Sequence, residues 1–340
     1  MNASPHTTAS AIRFENVSKR FSHASSERPA VDGVTLAVEP GQFVVLLGPS
    51  GCGKTTLLKM VNRLYEATSG QILIDGEPVN GIPAPALRRR IGYVIQQTGL
   101  FPHMRVGDNI AVVPKLLGWD KARISARVDE LLDLVGLPAE QYRRRYPAQL
   151  SGGQQQRVGL ARALAADPTT MLMDEPFGAL DAITRARLQG ELKSIHRRLG
   201  QTILFVTHDI EEAVRLADRI AVMRDGKVVQ YDDPLRIVMQ PADPFVSDLV
   251  GAGDILRRLS LVPVRVACQI TSAAPESGGL PTIRADDDLR TALALLLECQ
   301  CNQLVVVDEQ GAPFGTLDMA AIEAAGVTGM PAASAEIATP

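Results

Sequence analysis

The octapeptide Gly48-Pro49-Ser50-Gly51-Cys52-Gly53-Lys54-Thr55 constrains this chain more than any other stretch. Ahead of it runs Phe43-Val44-Val45-Leu46-Leu47, an unbroken apolar segment that reads as a buried strand. Behind it, Thr56-Leu57-Leu58-Lys59-Met60-Val61 reads as the start of a helix. A glycine-rich turn between strand and helix lets successive backbone N–H groups point into one concavity. The helix N-terminus adds partial positive charge, so the pocket suits an anion. The pattern G-x-x-x-x-G-K-[ST] in that setting predicts a nucleotide site: Lys54 would reach the β- and γ-phosphates and the Thr55 hydroxyl would bind Mg²⁺.

At 340 residues there is room for one large domain and a smaller one. A net charge of −3 and an aromatic content of 4% argue against nucleic acid as a partner. No run of about 18 apolar residues occurs, so no membrane span is expected. Met1 to Ser10 is polar and lacks an apolar signal core. The expectation is a soluble, cytoplasmic protein that meets a membrane through a partner. The four cysteines are too few and too scattered for a disulfide framework. Cys299 and Cys301 form a C-x-C without paired ligands at zinc-like spacing, and read as a chance pair of thiols in a reducing compartment.

Alternation at Ile12, Phe14 and Val17, and again at Val34, Leu36 and Val38, predicts strands before the glycine-rich loop. Ile72-Leu73-Ile74 followed by Asp75-Gly76 predicts a strand and tight turn. Residues 106 to 165 carry helical spacing, as at Val128, Leu131, Leu132 and Val135 ahead of Gly136. Met171-Leu172-Met173 and Ile203-Leu204-Phe205-Val206 lie between helical stretches, as central parallel strands do. Ile220 to Met223 and Lys227 to Gln230, joined by Arg224-Asp225-Gly226, predict a hairpin. The fold class is therefore α/β.

Proline and glycine at 241, 244, 251 and 253 mark a boundary zone, and residues 272 to 281 read as a flexible linker. The expected division is a nucleotide-binding domain over 11–240 with a helical subdomain over about 97–160, a linker over 241–281 and a small α/β unit over 282–325. Residues 1–10 and 326–340 are expected to be disordered. Arg88-Arg89-Arg90 and Arg143-Arg144-Arg145 read as solvated helix faces.

A phosphate loop needs an acidic partner for its metal. The apolar run ending in Asp174-Glu175 offers one. Asp174 would hold Mg²⁺ through water, and Glu175 would polarise an attacking water. Taken alone, the pair could equally be an ordinary solvated loop; the phosphate loop upstream favours the functional reading. Leu150-Ser151-Gly152-Gly153-Gln154 opens a second anion nest at a predicted helix N-terminus.

With Gln155-Gln156-Arg157, that segment resembles the signature of ATP-binding cassette (ABC) ATPases, and the resemblance spans about residues 11 to 235. It implies a P-loop NTPase core: a mixed sheet with an antiparallel subdomain, plus the helical subdomain. It implies ATP and Mg²⁺ as cofactors and a head-to-tail homodimer, in which the signature of one subunit closes over the nucleotide of the other. Carried over by resemblance, Gln96 contacts Mg²⁺ and the attacking water. Gly178-Ala179-Leu180-Asp181 communicates across the dimer. His208 hydrogen-bonds the γ-phosphate and steadies Glu175. Phe21 stacks on adenine, where tyrosine is more usual. The nucleotide contacts comprise Gly48 to Thr56, Ser151 to Gln154 and Asp181.

The segment Ile91 to Met104, with Asn62-Arg63-Leu64 and Val113-Pro114-Lys115, is similar to the bacterial quaternary-amine importers. It implies import of glycine betaine, choline, carnitine or proline betaine, with an amino acid or polyamine importer as the alternative. Implied partners are integral-membrane permease subunits docking near Gln96 to Arg105, and through them a periplasmic or lipid-anchored substrate-binding protein. The place of work is the cytoplasmic face of the inner membrane. Residues 283 to 320 are similar to a cystathionine-β-synthase (CBS)-type module, serving either as a sensor or as a dimerisation appendage. A non-transport cassette protein is disfavoured by the single cassette and absent coiled coil. A phosphate-loop kinase or GTPase is disfavoured by the signature at Leu150.

Overall fold

Strand β3 (Phe43–Leu47) is buried at all five residues, which places it in the middle of a sheet covered on both faces. In chain order the strands around it are β1 (Ile12–Lys19), β2 (Val31–Val38), β3, β4 (Ser69–Ile74), β5 (Glu77–Pro78), β6 (Ile91–Val94), β7 (Thr170–Asp174), β8 (Thr202–Thr207), β9 (Arg219–Arg224) and β10 (Lys227–Asp232). This computed structural model describes residues 9–21, 28–95, 99–178, 180–251, 253–270, 280–308 and 310–327. The chain divides into two units, residues 1–231 and 232–340.

In the first unit, six strands run in the order β10-β9-β3-β8-β7-β6. β3 pairs in parallel with β8 and β9, and β7 in parallel with β6 and β8. The second sheet, β2-β1-β4-β5, is antiparallel. Two hairpins turn where the sequence predicted. Asp75 and Gly76 both hold positive φ, and so do Asp225 and Gly226, as a type I′ turn requires. Helix Lys54–Val61 sends Leu57, Leu58, Met60 and Val61 into the core that also holds Val44 and Leu46. Each such side chain contributes about 1.5–3 kcal/mol by leaving water.

The predicted helical region breaks into short helices, with longer ones at Lys121–Leu134 and Gly152–Leu164. Two arginines read as solvated are fixed instead. Arg88 donates to the carbonyls of Asn62 and Arg63, at the end of helix Lys54–Val61 (3.1 and 2.7 Å). Arg143 binds the Asp129 carboxylate and the Ser125 hydroxyl.

The second unit departs further from expectation. Residues 241–281 do not form a bare linker: helices Pro244–Val250, Ile255–Leu261 and Val264–Ala267 lie there, followed by β11 (Gln269–Ile270). The residues read as breakers are helix ends. Pro244 occupies the first turn behind the cap Asp243, and Gly251 closes that helix in the left-handed region. Most of the Ser/Ala/Pro/Gly segment lies outside the described residues. Strands β12 (Thr282–Arg284), β13 (Gln303–Val307) and β14 (Pro313–Asp318) complete a sheet in the order β11-β14-β13-β12. Helix Leu289–Cys299 joins β12 to β13, which pair in parallel. Cys299 and Cys301 are not a chance pair of thiols: they are joined as a disulfide. Gln300, at φ 50°, folds the chain back between them. Among the described residues, no helix is long and apolar enough to cross a membrane.

Candidate functional site

Parallel register brings the carboxyl ends of three strands side by side. Leu47 at the end of β3 pairs with Thr207 of β8, and Asp174 at the end of β7 pairs with Val206 of β8. Ligands of open α/β sheets bind beyond such ends. The loop from Gly48 leaves β3 at this edge and enters helix Lys54–Val61, so Lys54 and Thr55 form that helix's first turn.

At two of the loop's glycines there is no room for a side chain. At Gly48 (φ +155°) a Cβ would lie 2.3 Å from the Met223 carbonyl oxygen. At Gly53 (φ +107°) it would lie 2.3 Å from that of Ala30. Gly53 is also the N-cap residue, so no side chain satisfies the helix's first N–H groups there, and they remain available to an anion. Gly53→Ala is expected to strain the backbone by roughly 1–3 kcal/mol or more. Thermal denaturation would show a lower Tm, together with weakened nucleotide binding; an unchanged Tm would contradict the packing described.

Lys54 is 5% exposed, and its ammonium bonds to the loop's own Gly48 and Pro49 carbonyls (2.6 and 2.9 Å). Cys52 lies beneath the loop, and burial pushes its thiol pKa up. Pro49, Ser50 and Gly51 are exposed; Thr56 is half-buried. Thr55 Oγ1 donates to Asp174 Oδ1 at 2.7 Å. Burial raises the Asp174 pKa, the Thr55 hydrogen bond opposes that rise, and the neighbouring Glu175 adds to it. A hydroxyl and a crowded, buried carboxylate form a hard oxygen donor set of the kind Mg²⁺ takes. Gln96, expected in the same set, lies outside the described residues.

Glu175 has φ 44°, a left-handed conformation costing a non-glycine residue about 1–3 kcal/mol. Its N–H donates to the Val206 carbonyl at 3.0 Å, which holds it there. The half-buried Glu175 carboxylate meets His208: Nδ1 lies 3.3 Å from Oε1. An imidazole with its proton on Nδ1 donates to that carboxylate and keeps Nε2 as an acceptor for a second partner.

A second group assembles around Ser151. The hydroxyl of Ser151 accepts from the Gln154 N–H (3.3 Å), while Gln154 Oε1 accepts from the Ser151 N–H (3.0 Å). This reciprocal cap opens helix Gly152–Leu164. Ser151, Gly152, Gly153 and Gln154 line a cleft of about 480 Å³ with Asp181. Asp181 caps helix Ala182–Leu199, and the Thr184 N–H lowers its carboxyl pKa. Phe21 is 40% exposed and meets the Tyr65 ring edge-on at 5.2 Å.

Sequence reasoning missed the supports of these groups. Arg157, 8% exposed, donates to the Val135 and Gly136 carbonyls and pairs with Glu191 (2.9 Å). Glu212, 5% exposed, accepts from Thr207 Oγ1 at 2.6 Å, and burial raises its pKa. The signal available was charge at positions of helices Gly152–Leu164 and Ile210–Leu216 that helical spacing turns inward.

The family model described as ABC transporter matches residues 31–178. The osmoprotectant import ATP-binding protein OsmV of Salmonella typhimurium is 48% identical over 305 residues, covering 89% of this chain and 78% of its own. The glycine betaine uptake system ATP-binding protein YehX of Escherichia coli is 49% identical over 307 residues, covering 90% and 97%. The spermidine/putrescine import ATP-binding protein PotA of Pseudomonas fluorescens is 48% identical over 241 residues, covering 71% and 66%. Among solved structures, the dimeric post-hydrolysis state of the ATP-binding cassette MJ0796, bound to ADP and Pi, superposes with a TM-score of 0.59. It is 34% identical, covering 66% of this chain and 98% of that one.

Proposed function

This chain belongs to the ABC transporter family, and from that premise we propose that it is the ATP-hydrolysing subunit of an importer for quaternary-amine osmoprotectants. The observation that carries the reading is the meeting of two pairs beyond the carboxyl ends of neighbouring strands, Thr55 with Asp174 and Glu175 with His208. The substrate class rests on how far the likeness runs. With the osmoprotectant relatives it extends over 305 and 307 residues, well beyond the first unit of the chain. With the polyamine importer it ends at 241 residues.

In this reading two copies enclose ATP between them. Gly48 to Thr56 of one copy hold the phosphates, and Ser151 to Gln154 of the other close over the γ-phosphate. Phe21 packs against the adenine. Thr55 and Asp174, with Gln96, would hold Mg²⁺, which supplies positive charge against the phosphate oxygens. Glu175 accepts a proton from the attacking water as that oxygen bonds to the γ-phosphorus and the bond to the β–γ bridging oxygen breaks. His208 orients the Glu175 carboxylate and offers its second nitrogen to the γ-phosphate. Asp181 belongs to the contact between copies. The ATPase pair works with membrane permease subunits. We place it peripherally at the cytoplasmic face of the membrane, supplied through the permease by a substrate-binding protein. The second unit is read as a CBS-like module, a regulatory or dimerising appendage.

Uptake of radiolabelled glycine betaine and of spermidine, in cells with and without an intact copy of this chain, tests the proposal. Loss of betaine uptake alone is the expected result. Loss of spermidine uptake alone would overturn the substrate class, and unchanged uptake of both would overturn the importer role.

A further inference from the structure

One guanidinium connects the loop before helix Ala182–Leu199 to the turn that carries His208. Arg185 Nη2 donates to the Leu180 carbonyl at 3.1 Å. Its Nη1 donates to Asp209 Oδ2 at 3.3 Å, and its Nε faces Glu212 Oε1 at 4.0 Å. The residues flanking His208 are fixed from the same side. Thr207 Oγ1 donates to the buried Glu212 and accepts from the Asp209 N–H at 3.0 Å. Asp209 Oδ1 accepts from the N–H groups of Glu211 and Glu212. A planar fork with fixed donor directions can hold two acceptors in register, which an ammonium on a flexible stem cannot.

We propose that Arg185 is a positioning residue that ties the place of Leu180 to the orientation of His208, so that the loop facing the partner copy sets the geometry of the Glu175–His208 pair. This rests on the two-copy reading above. The hydrogen bonds of Arg185 go to Leu180 and Asp209, so it acts on the chemical step and leaves ATP capture alone. Its side chain is one-third exposed, so its loss exposes little apolar surface.

The test uses the full chain. Arg185→Ala is expected to lower kcat about ten-fold or more, with KM for ATP within about two-fold. The melting temperature stays near that of the parent, and Arg185→Lys recovers part of the loss. Asp209→Asn retains the helix cap and removes the charge partner. The Arg185→Ala/Asp209→Asn double variant should be no slower than Arg185→Ala alone, because both changes break one linkage. ATP-driven dimerisation, followed by gel filtration in a Glu175→Gln background, should persist with Arg185→Ala. An unchanged kcat, a fall in kcat matched by a fall in melting temperature, or additive losses in the double variant would each overturn the proposal. If Glu175→Gln with Arg185 intact fails to dimerise on ATP, the two-copy reading falls and the proposal with it. That outcome is distinct from one in which the dimer forms and Arg185 proves irrelevant.

Discussion

Replacing Glu175 with glutamine is expected to lower steady-state ATP hydrolysis by about 10²–10⁴-fold, the contribution of a positioned general base. The exchange keeps the shape of the site. A glutamine can occupy the same strained backbone position, and its carbonyl oxygen can still accept from His208 Nδ1, which lies 3.3 Å from Glu175 Oε1. What disappears is the basicity. ATP binding should survive, because Lys54, Thr55 and Asp174 form their contacts without Glu175. The variant should hold ATP about as well as the parent. Equilibrium binding of a fluorescent ATP analogue beside a phosphate-release assay reads both quantities. Turnover close to that of the parent would remove Glu175 from the chemistry.

Ser151→Arg is the second large effect. It should abolish ATP-driven pairing of two copies while leaving nucleotide capture by each copy intact. Ser151 and Lys54 each bond within their own segment, so a change at one does not reach the other. The substitution does two things, and a control separates them. Losing the hydroxyl that caps helix Gly152–Leu164 costs about 0.5–2 kcal/mol, and Ser151→Ala incurs the same loss. Only arginine also fills the cleft that Ser151 shares with Gly153 and Asp181. In a Glu175→Gln background, light scattering with ATP should show a dimer for Ser151→Ala and a monomer for Ser151→Arg. A dimer of undiminished stability with arginine would contradict a nucleotide clasped between copies.

Most of the first unit was legible because its signals are local. The strand before Gly48, the helix after Gly53, and the turns at Asp75-Gly76 and Asp225-Gly226 each follow from a few adjacent residues. The breaks at Pro244 and Gly251 were visible too, but their sense was not. A proline that cannot continue a helix can begin one, and a glycine that ends a helix reads the same as one in a linker. Arg88 looked solvated because sequence periodicity cannot show that the end of another helix lies within its reach. The Cys299–Cys301 bond depends on the left-handed backbone at Gln300, which no composition argument supplies.

The sequence by itself determined the segments that satisfy their own hydrogen bonds: the glycine loop that Lys54 closes onto Gly48 and Pro49, and the reciprocal cap between Ser151 and Gln154. Each is complete within eight residues, so its chemistry travels with its spelling. Only the tertiary structure decided that Thr55 meets Asp174, that Glu175 meets His208, and that Arg185 spans Leu180 and Asp209. Most of those meetings depend on β8 lying between β3 and β7. That strand order is set by pairing between segments far apart in the chain, where the gain from burying whole apolar strands outweighs the loop-closure entropy of bringing them together.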